Sequence, residues 1–222
     1  CVLTDCDTAE MAKLTENAFR DVNIAFANEL SMICDNLGIN VWELIAIANR
    51  HPRVNILQPG PGVGGHCIAV DPWFIVSRTP ELSPLITAAR KVNDGKPEWV
   101  LAKVNEALLE ICNLRGVEPA KLNIACLGLA FKPDIDDLRE SPALQITKTL
   151  AERHSGNILA VEPNIEQLPA SADLGNVELV DVETAVKRAD VVLLLVDHKQ
   201  FKSMSLEISE TQRLVDTRGV WT

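Results

Sequence analysis

Residues 123–131 read NIACLGLAF, a short run of apolar and small residues with a glycine near its end. Similar short runs follow at 157–162 (NILAVE), 177–180 (VELV) and 191–196 (VVLLLV). Helical patterns lie between these runs, at 142–153 and 182–189. Strands that alternate with helices predict a parallel sheet with helices on both faces, and such sheets bind ligands beyond the carboxyl ends of their strands.

The first half of the chain has a helical pattern instead. Apolar residues recur at steps of three or four from residue 8 to residue 37, and Gly38 is suited to end that helix. The second half of the helix is apolar nearly all round, which favours a helical core shared between subunits. Further helices are predicted at 41–50 and 82–115, with a break at Pro97 because proline disrupts a helix interior. The predicted fold class is α/β, an all-helical part followed by a Rossmann-like parallel sheet.

The composition narrows the classes of function. With 222 residues, 47% of them hydrophobic, the chain suits one large or two small domains. A formal net charge of −10 argues against non-specific nucleic-acid binding, and the longest aliphatic run, 191–196, is far too short for a membrane span. No CxxC pair or zinc-ligand spacing is present, so we expect no metal site and a reducing, cytoplasmic compartment. Because the sequence opens on Cys1, we interpret it as part of a longer protein.

The stretch QPGPGVGGHCIAVDPWF, residues 58–74, places four glycines before His66 and Cys67, with Asp71 following. Glycines let backbone N–H groups approach a ligand closely, and Cys67 is then a candidate nucleophile in an N–H-rich environment. The alternative is a small residue that fills a tight turn. The residues alone leave both interpretations open.

Polar residues elsewhere are candidates for binding an oxygen atom or an anion. Lys13, Asn17 and Arg20 share one face of the first helix, and a lysine and an asparagine one turn apart can together hold one oxygen atom. His51 and Arg53 lie in the loop after the second helix. A solvated helix face and an ordinary surface loop are the alternatives.

The segment GLAFKPDIDDLRESP, residues 128–142, follows the first predicted strand but lacks the G-x-G-x-x-G of a dinucleotide site. Lys132 and Arg139 lie where this strand passes into a helix, and Arg218 follows another short apolar run. Each could be an ordinary surface charge, but several basic residues at strand ends favour a phosphorylated ligand.

Taken together, these motifs resemble the UDP-glucose/GDP-mannose dehydrogenase family over essentially the whole chain. The matching features are Lys13-x-x-x-Asn17, G-x-G-G-x-C-x-x-x-D at 62–71, FKPDIDDLRESP at 131–142 and Asp216-x-Arg218. The resemblance implies a central helical dimerisation domain with the catalytic cysteine loop at 1–116 and a C-terminal Rossmann-like UDP-sugar-binding domain at 117–222. It also implies a homodimer formed through the central helices. The family's N-terminal NAD-binding domain, and the glutamate that assists thioester hydrolysis, are missing from this sequence.

For the activity, the resemblance implies an NAD-dependent four-electron oxidation of a UDP-sugar at C6. Cys67 would attack the aldehyde intermediate to give a thiohemiacetal, which is oxidised to a thioester and hydrolysed. Lys13 and Asn17 would hold the C6 oxygen, and Asp71 would orient or activate the hydrolytic apparatus. Arg139 would reach NAD. The residues implied in UDP-sugar binding are Arg20, His51, Arg53, Gly64, Phe131, Lys132 and Arg218.

Two stretches indicate a substrate within the family. Residues 64–74 read GGHCIAVDPWF where UDP-glucose dehydrogenases typically read GGSCFPKD, and residues 49–56 read NRHPRVNI. Both are similar to the type that oxidises UDP-N-acetyl-D-mannosamine for bacterial surface polysaccharides. The alternatives are UDP-glucose or UDP-N-acetylglucosamine as substrate, or a non-catalytic UDP-sugar-binding or dimerisation module.

A cysteine hydrolase that uses Cys67 and His66 is a further rival. It is disfavoured because adjacent side chains in an extended segment point in opposite directions. We expect the chain by itself to bind UDP-sugar weakly and to lack redox activity.

Overall fold

The computed structural model describes residues 3–168 and 174–221. Within them the chain forms seven α-helices and five β-strands. It divides into two compact units, one up to Lys96 and the other from Pro97 onward. None of the helices in the described residues combines the length and apolar character needed to cross a membrane.

The first unit is helical throughout. Its elements are α1 (Cys6–Leu37), α2 (Val41–Ala48), α3 (Asp71–Arg78), a short 3-10 helix (Pro80–Leu82) and the first part of α4 (Pro84–Arg115). The Asp5 carboxylate caps α1 by accepting a hydrogen bond from Thr8 N at 2.9 Å, and Gly38 ends it with φ 66°. The sequence pattern predicts α1 and α2, whereas the segment that forms α3 was expected to belong to a loop.

The predicted break at Pro97 is wrong, because α4 runs unbroken from Pro84 to Arg115 with Pro97 inside it. Proline in a helix interior costs about 3 kcal/mol or more. Packing on both sides of Pro97 outweighs that cost: Arg90 and Lys96 are buried before it, and Val100 is fully buried after it. The division into compact units falls inside α4, ahead of the domain boundary that the sequence analysis expects at 116/117. The functional assignment of the two domains stays a prediction.

The second unit is a parallel five-stranded sheet with the order β3-β2-β1-β4-β5, as the alternating pattern predicts. Its strands are β1 (Ile124–Leu127), β2 (Ile158–Val161), β3 (Val177–Leu179), β4 (Val191–Leu194) and β5 (Arg213–Asp216). The helices between them are α5 (Pro142–Arg153), α6 (Val182–Arg188) and α7 (Lys199–Ser203).

Alternate strand residues fill two cores, one on each face of this sheet. Ile124 and Cys126 pack with the second part of α4 and with α5, whereas Ala125 and Leu127 pack with α6 and Phe201. All four β1 residues are completely buried, which explains why β1 is apolar throughout rather than alternating.

The strand order reverses at β1, because β2 and β3 extend on one side of it and β4 and β5 on the other. At such a point the loops that follow the two central strands diverge and leave a crevice at the carboxyl edge of the sheet. Gly128, directly after β1, has φ 89°, and a Cβ there would lie 2.4 Å from Val196 Cβ. Only glycine therefore lets these two loops pass so closely.

Candidate active site and nucleotide site

Cys67 lies at the end of the glycine-rich stretch, in the turn that leads into α3. Its carbonyl accepts hydrogen bonds from Val70 N at 3.0 Å and Asp71 N at 2.8 Å. Gly65, two residues earlier, is buried and has φ 82°, a conformation that favours glycine. The Cys67 thiol is exposed and free. A thiol in this position is accessible to a substrate carbonyl, as a nucleophile must be.

α1 and α3 pack together and bring two predicted catalytic residues into contact. Asn17 is buried (2% exposed), and its Nδ2 donates a hydrogen bond to Asp71 Oδ2 at 2.6 Å. The second hydrogen on that nitrogen can donate to another oxygen atom. Lys13 lies one turn before Asn17, is exposed and pairs with Glu16 at 3.1 Å. Lys13 and Asn17 thus present donors one turn apart on α1.

The remaining predicted residues of the helical unit are more exposed. Arg20 lies on α1, and His51 and Arg53 lie in the loop after α2, where Arg53 N donates to His51 Nδ1 at 3.3 Å. Gly64 is half-buried in the glycine-rich stretch. Among the residues that the structure describes, no side-chain hydrogen bond or ion pair joins Arg20, His51 or Arg53 to Cys67.

A buried polar network, which the sequence analysis missed, anchors the start of the glycine-rich stretch to α1. Asn28 Oδ1 accepts a hydrogen bond from Gly60 N at 2.9 Å, and Asn28 Nδ2 donates to Asn93 Oδ1 at 2.9 Å. Asn93 Nδ2 donates to Asp21 Oδ1 at 2.8 Å, and Arg90 pairs with the same carboxylate at 2.5 Å. Burial raises the pKa of Asp21, and the charge of Arg90 opposes that rise. The sequence did contain one sign of this network, namely polar residues in α1, whose second half is otherwise apolar nearly all round.

In the second unit, the loop after β1 carries three of the predicted binding residues. Lys132 Nζ lies 5.4 Å from the centroid of the Phe131 ring, within the range of a cation–π contact. Arg139 is exposed and donates two hydrogen bonds to the Asp137 carboxylate, at 2.9 and 2.7 Å. Hydrogen bonding to Asp137 raises the pKa of Arg139.

Arg218 lies beyond β5, and two carboxylates hold it in place. Its guanidinium contacts Asp197 Oδ1 at 2.8 and 2.5 Å, and Lys202 pairs with the other oxygen of Asp197 at 2.5 Å. Asp216 Oδ1 accepts hydrogen bonds from Arg218 N and Gly219 N at 2.8 and 2.7 Å. Burial acts to raise the pKa of Asp197, but Arg218 and Lys202 together hold it below its usual value. Asp216 thus shapes the turn, and Asp197 directs the guanidinium.

Two buried groups at the same edge were also missed, Glu162 after β2 and His198 after β4. Glu162 accepts hydrogen bonds from the backbone of Leu129 and Ala130, and His198 contacts the same carboxylate. The only signal for Glu162 was a charged residue at the end of the apolar run NILAVE.

Family profiles match both units. The profile of the UDP-glucose/GDP-mannose dehydrogenase family, central domain, matches residues 7–95, and that of the family's UDP binding domain matches residues 125–222. The chain belongs to the UDP-glucose/GDP-mannose dehydrogenase family.

Individual members of this family resemble the chain over its whole length. UDP-N-acetyl-D-mannosamine dehydrogenase of Yersinia pestis is 63% identical over 221 residues, which are 100% of this chain and 52% of that protein. NDP-N-acetyl-D-galactosaminuronic acid dehydrogenase of Ralstonia nicotianae is 60% identical over 222 residues, 100% of this chain and 50% of that protein. The structure of UDP-D-ManNAc dehydrogenase from Pyrococcus horikoshii matches with a TM-score of 0.82 and 36% identity, over 99% of this chain and 50% of that one. The chain spans about half the length of the curated relatives it matches.

The turn after β1 does not fit a dinucleotide such as NAD. In dinucleotide sites the backbone N–H groups of this turn face the pyrophosphate. Here Leu129 N and Ala130 N donate to the buried Glu162 carboxylate, at 2.8 and 3.0 Å, and a carboxylate repels phosphate. Within residues 3–168 and 174–221, no group of histidine, cysteine and acidic side chains gathers as a metal site.

Proposed function

We propose that this chain provides the catalytic-cysteine and UDP-binding parts of an enzyme that oxidises UDP-N-acetyl-D-mannosamine at C6 to the uronate. The observation that carries the proposal is the hydrogen bond between Asn17 and Asp71 beside the turn that begins at Cys67. It joins residues of two separate motifs, one on α1 and one on α3, in the family whose profiles match the chain.

The residues of the helical unit are assigned to the reacting end of the substrate. A first two-electron oxidation converts the C6 alcohol to an aldehyde, and the Cys67 sulfur adds to the aldehyde carbon. A second two-electron oxidation converts the thiohemiacetal to a thioester, which water hydrolyses to the carboxylate and the free Cys67 thiol. Lys13 and Asn17 donate hydrogen bonds to the C6 oxygen as negative charge develops on it. Asp71 fixes the Asn17 amide and orients the hydrolytic water.

UDP-sugar binding is assigned to residues of both units. In the second unit Lys132 and Arg218 supply positive charge for the diphosphate, and Phe131 supplies an aromatic surface. Asp197 holds the Arg218 guanidinium in place, which reduces the entropy lost on binding. The residues assigned in the first unit are Arg20, His51, Arg53 and Gly64.

NAD is the proposed electron acceptor for both oxidations. Because the turn after β1 does not fit a dinucleotide, Arg139 is the one residue of this chain that we assign to NAD. We therefore expect the chain by itself to form no NADH. The five cysteines in the described residues are all free, in keeping with the reducing, cytoplasmic setting that we propose.

A second sugar is a real candidate. The Ralstonia nicotianae protein is named for an N-acetyl-D-galactosaminuronic acid, yet it is nearly as similar to this chain as the Yersinia pestis protein named for N-acetyl-D-mannosamine. Both names share an N-acetylated hexosamine, which favours that class over UDP-glucose. The GGHCIAVDPWF stretch favours mannosamine within it.

A homodimer through α1 is the proposed assembly. Phe19, Phe26 and Leu37 of α1 are 68%, 53% and 62% exposed, and Ile33 lies on the same helix at 45%. Large exposed apolar patches mark interaction surfaces. We expect a dimer in sedimentation velocity that Phe26→Glu converts to monomer, while the exposed substitution Lys91→Glu leaves it intact. A wild-type monomer at micromolar concentration would contradict the assembly.

Calorimetric titration of the chain tests the substrate assignment. UDP-N-acetyl-D-mannosaminuronate, UDP-N-acetyl-D-galactosaminuronate, UDP-glucuronate and UDP are compared on the wild type and on Arg218→Ala. The proposal expects the mannosaminuronate to bind most tightly and Arg218→Ala to weaken every nucleotide. Arg188→Ala, which removes an exposed arginine paired with Glu178, is the matched control.

Each pattern of binding decides a different part of the assignment. Tightest binding of the galactosaminuronate would replace the sugar and keep the site. Equal affinity for all four ligands would contradict sugar recognition by the chain. Unchanged affinities in Arg218→Ala would contradict the assigned nucleotide site.

A further inference from the structure

Glu162 and His198 form a buried polar pair at the carboxyl edge of the sheet. Glu162 directly follows β2 and is 4% exposed, and His198 lies between β4 and α7 and is 1% exposed. Burying such groups costs free energy unless hydrogen bonds compensate. The hydrogen-bond partners of Glu162 and His198 therefore show which part of the structure the two side chains stabilise.

The partners of Glu162 are mostly backbone groups of the loop after β1. Oε2 accepts hydrogen bonds from Leu129 N at 2.8 Å, Ala130 N at 3.0 Å and His198 Nε2 at 3.1 Å. Oε1 accepts from Asn164 N and Nδ2 at 3.2 and 3.0 Å. Although burial acts to raise its pKa, these hydrogen bonds, above all the one from His198, lower the pKa of Glu162 to about 2. A charged carboxylate thus accepts hydrogen bonds from the backbone N–H groups of the turn after β1.

The protonation of His198 follows from its neighbours. Asp134 N donates to His198 Nδ1 at 2.9 Å, and a backbone N–H can only donate, so Nδ1 carries no proton. The ring proton is then on Nε2 and is donated to Glu162. Asp134 has φ 61° and its Oδ1 accepts from Lys199 N at 2.9 Å, so the loop is held in a conformation that a free chain rarely adopts.

Glu162 and His198 therefore hold the loop after β1 at two points, one on each side of a short segment. Leu129 and Ala130 are fixed by Glu162, Asp134 is fixed by His198, and between them lie Phe131 and Lys132. The Lys132 ammonium lies over the Phe131 ring. With the two turn amides occupied, an anion at this edge can be bound by the Lys132 side chain but not by the backbone of the turn.

We propose that Glu162 and His198 are positioning residues that hold Phe131 and Lys132 for a nucleoside diphosphate and exclude phosphate from the turn after β1. The inference rests on the proposed UDP site and adds the residues that shape it. On this proposal the sheet accepts a UDP-sugar rather than a dinucleotide, because the Glu162 carboxylate already accepts hydrogen bonds from the N–H groups that would face a pyrophosphate.

The test combines UDP binding with amide hydrogen exchange on the whole chain. His198→Phe keeps the edge contact with Phe201 but removes the hydrogen bonds of the ring with Asp134, Asn164 and Glu162. His198→Gln restores one donor and one acceptor. His154→Phe is the matched control, because His154 is also a buried histidine of this unit and Nε2 contacts Leu122 O at 2.8 Å, at the other edge of the sheet.

We expect His198→Phe to accelerate exchange of the Ala130 and Asp134 amides and to weaken UDP binding about threefold to tenfold. His198→Gln should recover most of the affinity, and His154→Phe should leave it unchanged. Wild-type affinity in His198→Phe, or an equal loss in His154→Phe, would overturn the positioning role. A wild-type chain that binds no UDP would instead contradict the proposed function, and the exchange rates would then decide whether the pair fastens the loop.

Discussion

The two loops assigned to function are anchored at different positions relative to the residues that they present. The glycine-rich stretch of the helical unit is tied to α1 at Gly60 and turns into α3 at Cys67, whose thiol is exposed. The loop after β1 in the sheet unit is fastened by two buried side chains, Glu162 and His198. One loop presents the exposed thiol that we propose as the nucleophile, and the other presents a surface fixed from below by buried side chains.

This difference suits the two tasks that we propose. A nucleophile must be reached by the substrate and by water, and the thiol of Cys67 stays exposed while its backbone carbonyl is held by Val70 N and Asp71 N. A site that recognises a diphosphate gains from being preorganised, because less entropy is lost on binding. The anchors of both loops are buried polar groups rather than apolar contacts, and they can be tested separately.

The largest loss of stability is expected from removing the positive charge of Arg90, which belongs to the buried polar network of the helical unit. Arg90→Met leaves the Asp21 carboxylate buried without its cation, which we expect to cost about 3–5 kcal/mol of unfolding free energy. Urea unfolding measures the loss. Arg153→Met, which removes an exposed partner of Glu98, is the control and should cost far less. Similar losses in both variants would show that the buried network does not support the unit.

The anchor of the sheet unit should be sensitive to acid. The pKa of Glu162 is lowered from 4.5 to about 2, so its contribution is complete above pH 4.5 and is lost as pH falls towards 2. We expect the ionised Glu162 carboxylate to contribute about 3 kcal/mol to the free energy of unfolding. Unfolding free energies between pH 7 and pH 3 are compared for the wild type and Glu162→Gln. The wild type should be more stable than Glu162→Gln near pH 7, and this difference in unfolding free energy should shrink only below about pH 4.5. A difference that stays constant from pH 7 to pH 3 would contradict a buried charge on Glu162.

Gly128→Ala separates close packing from backbone strain. A methyl group there meets Val196 at 2.4 Å in a left-handed conformation, and we expect a loss of about 2–4 kcal/mol. Gly116→Ala is the matched variant, because Gly116 has φ 65° but open space around it, and it should cost about 1 kcal/mol. Equal losses in thermal unfolding would mean that the two loops do not pack as described.

Asn28→Ala should have the smallest effect on stability and the most local one. It leaves Gly60 N without its buried acceptor, which costs about 1–3 kcal/mol. Faster amide exchange is expected at Gly60, with no change in the Ala130 and Asp134 amides of the other loop. Asn23→Ala, which removes an amide that bonds only to its own helix, controls for the loss of side-chain volume. Slow exchange at Gly60 in Asn28→Ala would rule out this anchor.

The sheet could be predicted because its three central strands are buried on both faces. Such strands are continuous apolar runs, and β1, β2 and β4 fall within NIACLGLAF, NILAVE and VVLLLV. The helix break at Pro97 was wrong because a local rule for proline was applied where packing on both sides of the residue decides.

The polar anchors could not be predicted from the residues alone. Asn28 and Glu162 look like residues of a helix face and a strand end, and their burial depends on Gly60 and Leu129, which lie far away in the sequence. Spacing indicates which residues share an element, whereas hydrogen bonds between elements need the fold. Most of the motif residues were candidates from their type and spacing, whereas their roles came from the resemblance and stay predictions.

We propose that Cys67 and the residues assigned to the nucleotide sugar serve one reaction. The most direct measurement is the rate at which iodoacetamide alkylates Cys67, followed by peptide mass spectrometry, with Cys6 as the internal exposed control. We expect saturating UDP-N-acetyl-D-mannosaminuronate to slow alkylation of Cys67 but not of Cys6, and UDP to protect Cys67 less. Unchanged alkylation of Cys67, at a concentration where calorimetry shows the uronate bound, would mean that Cys67 does not act on this nucleotide sugar.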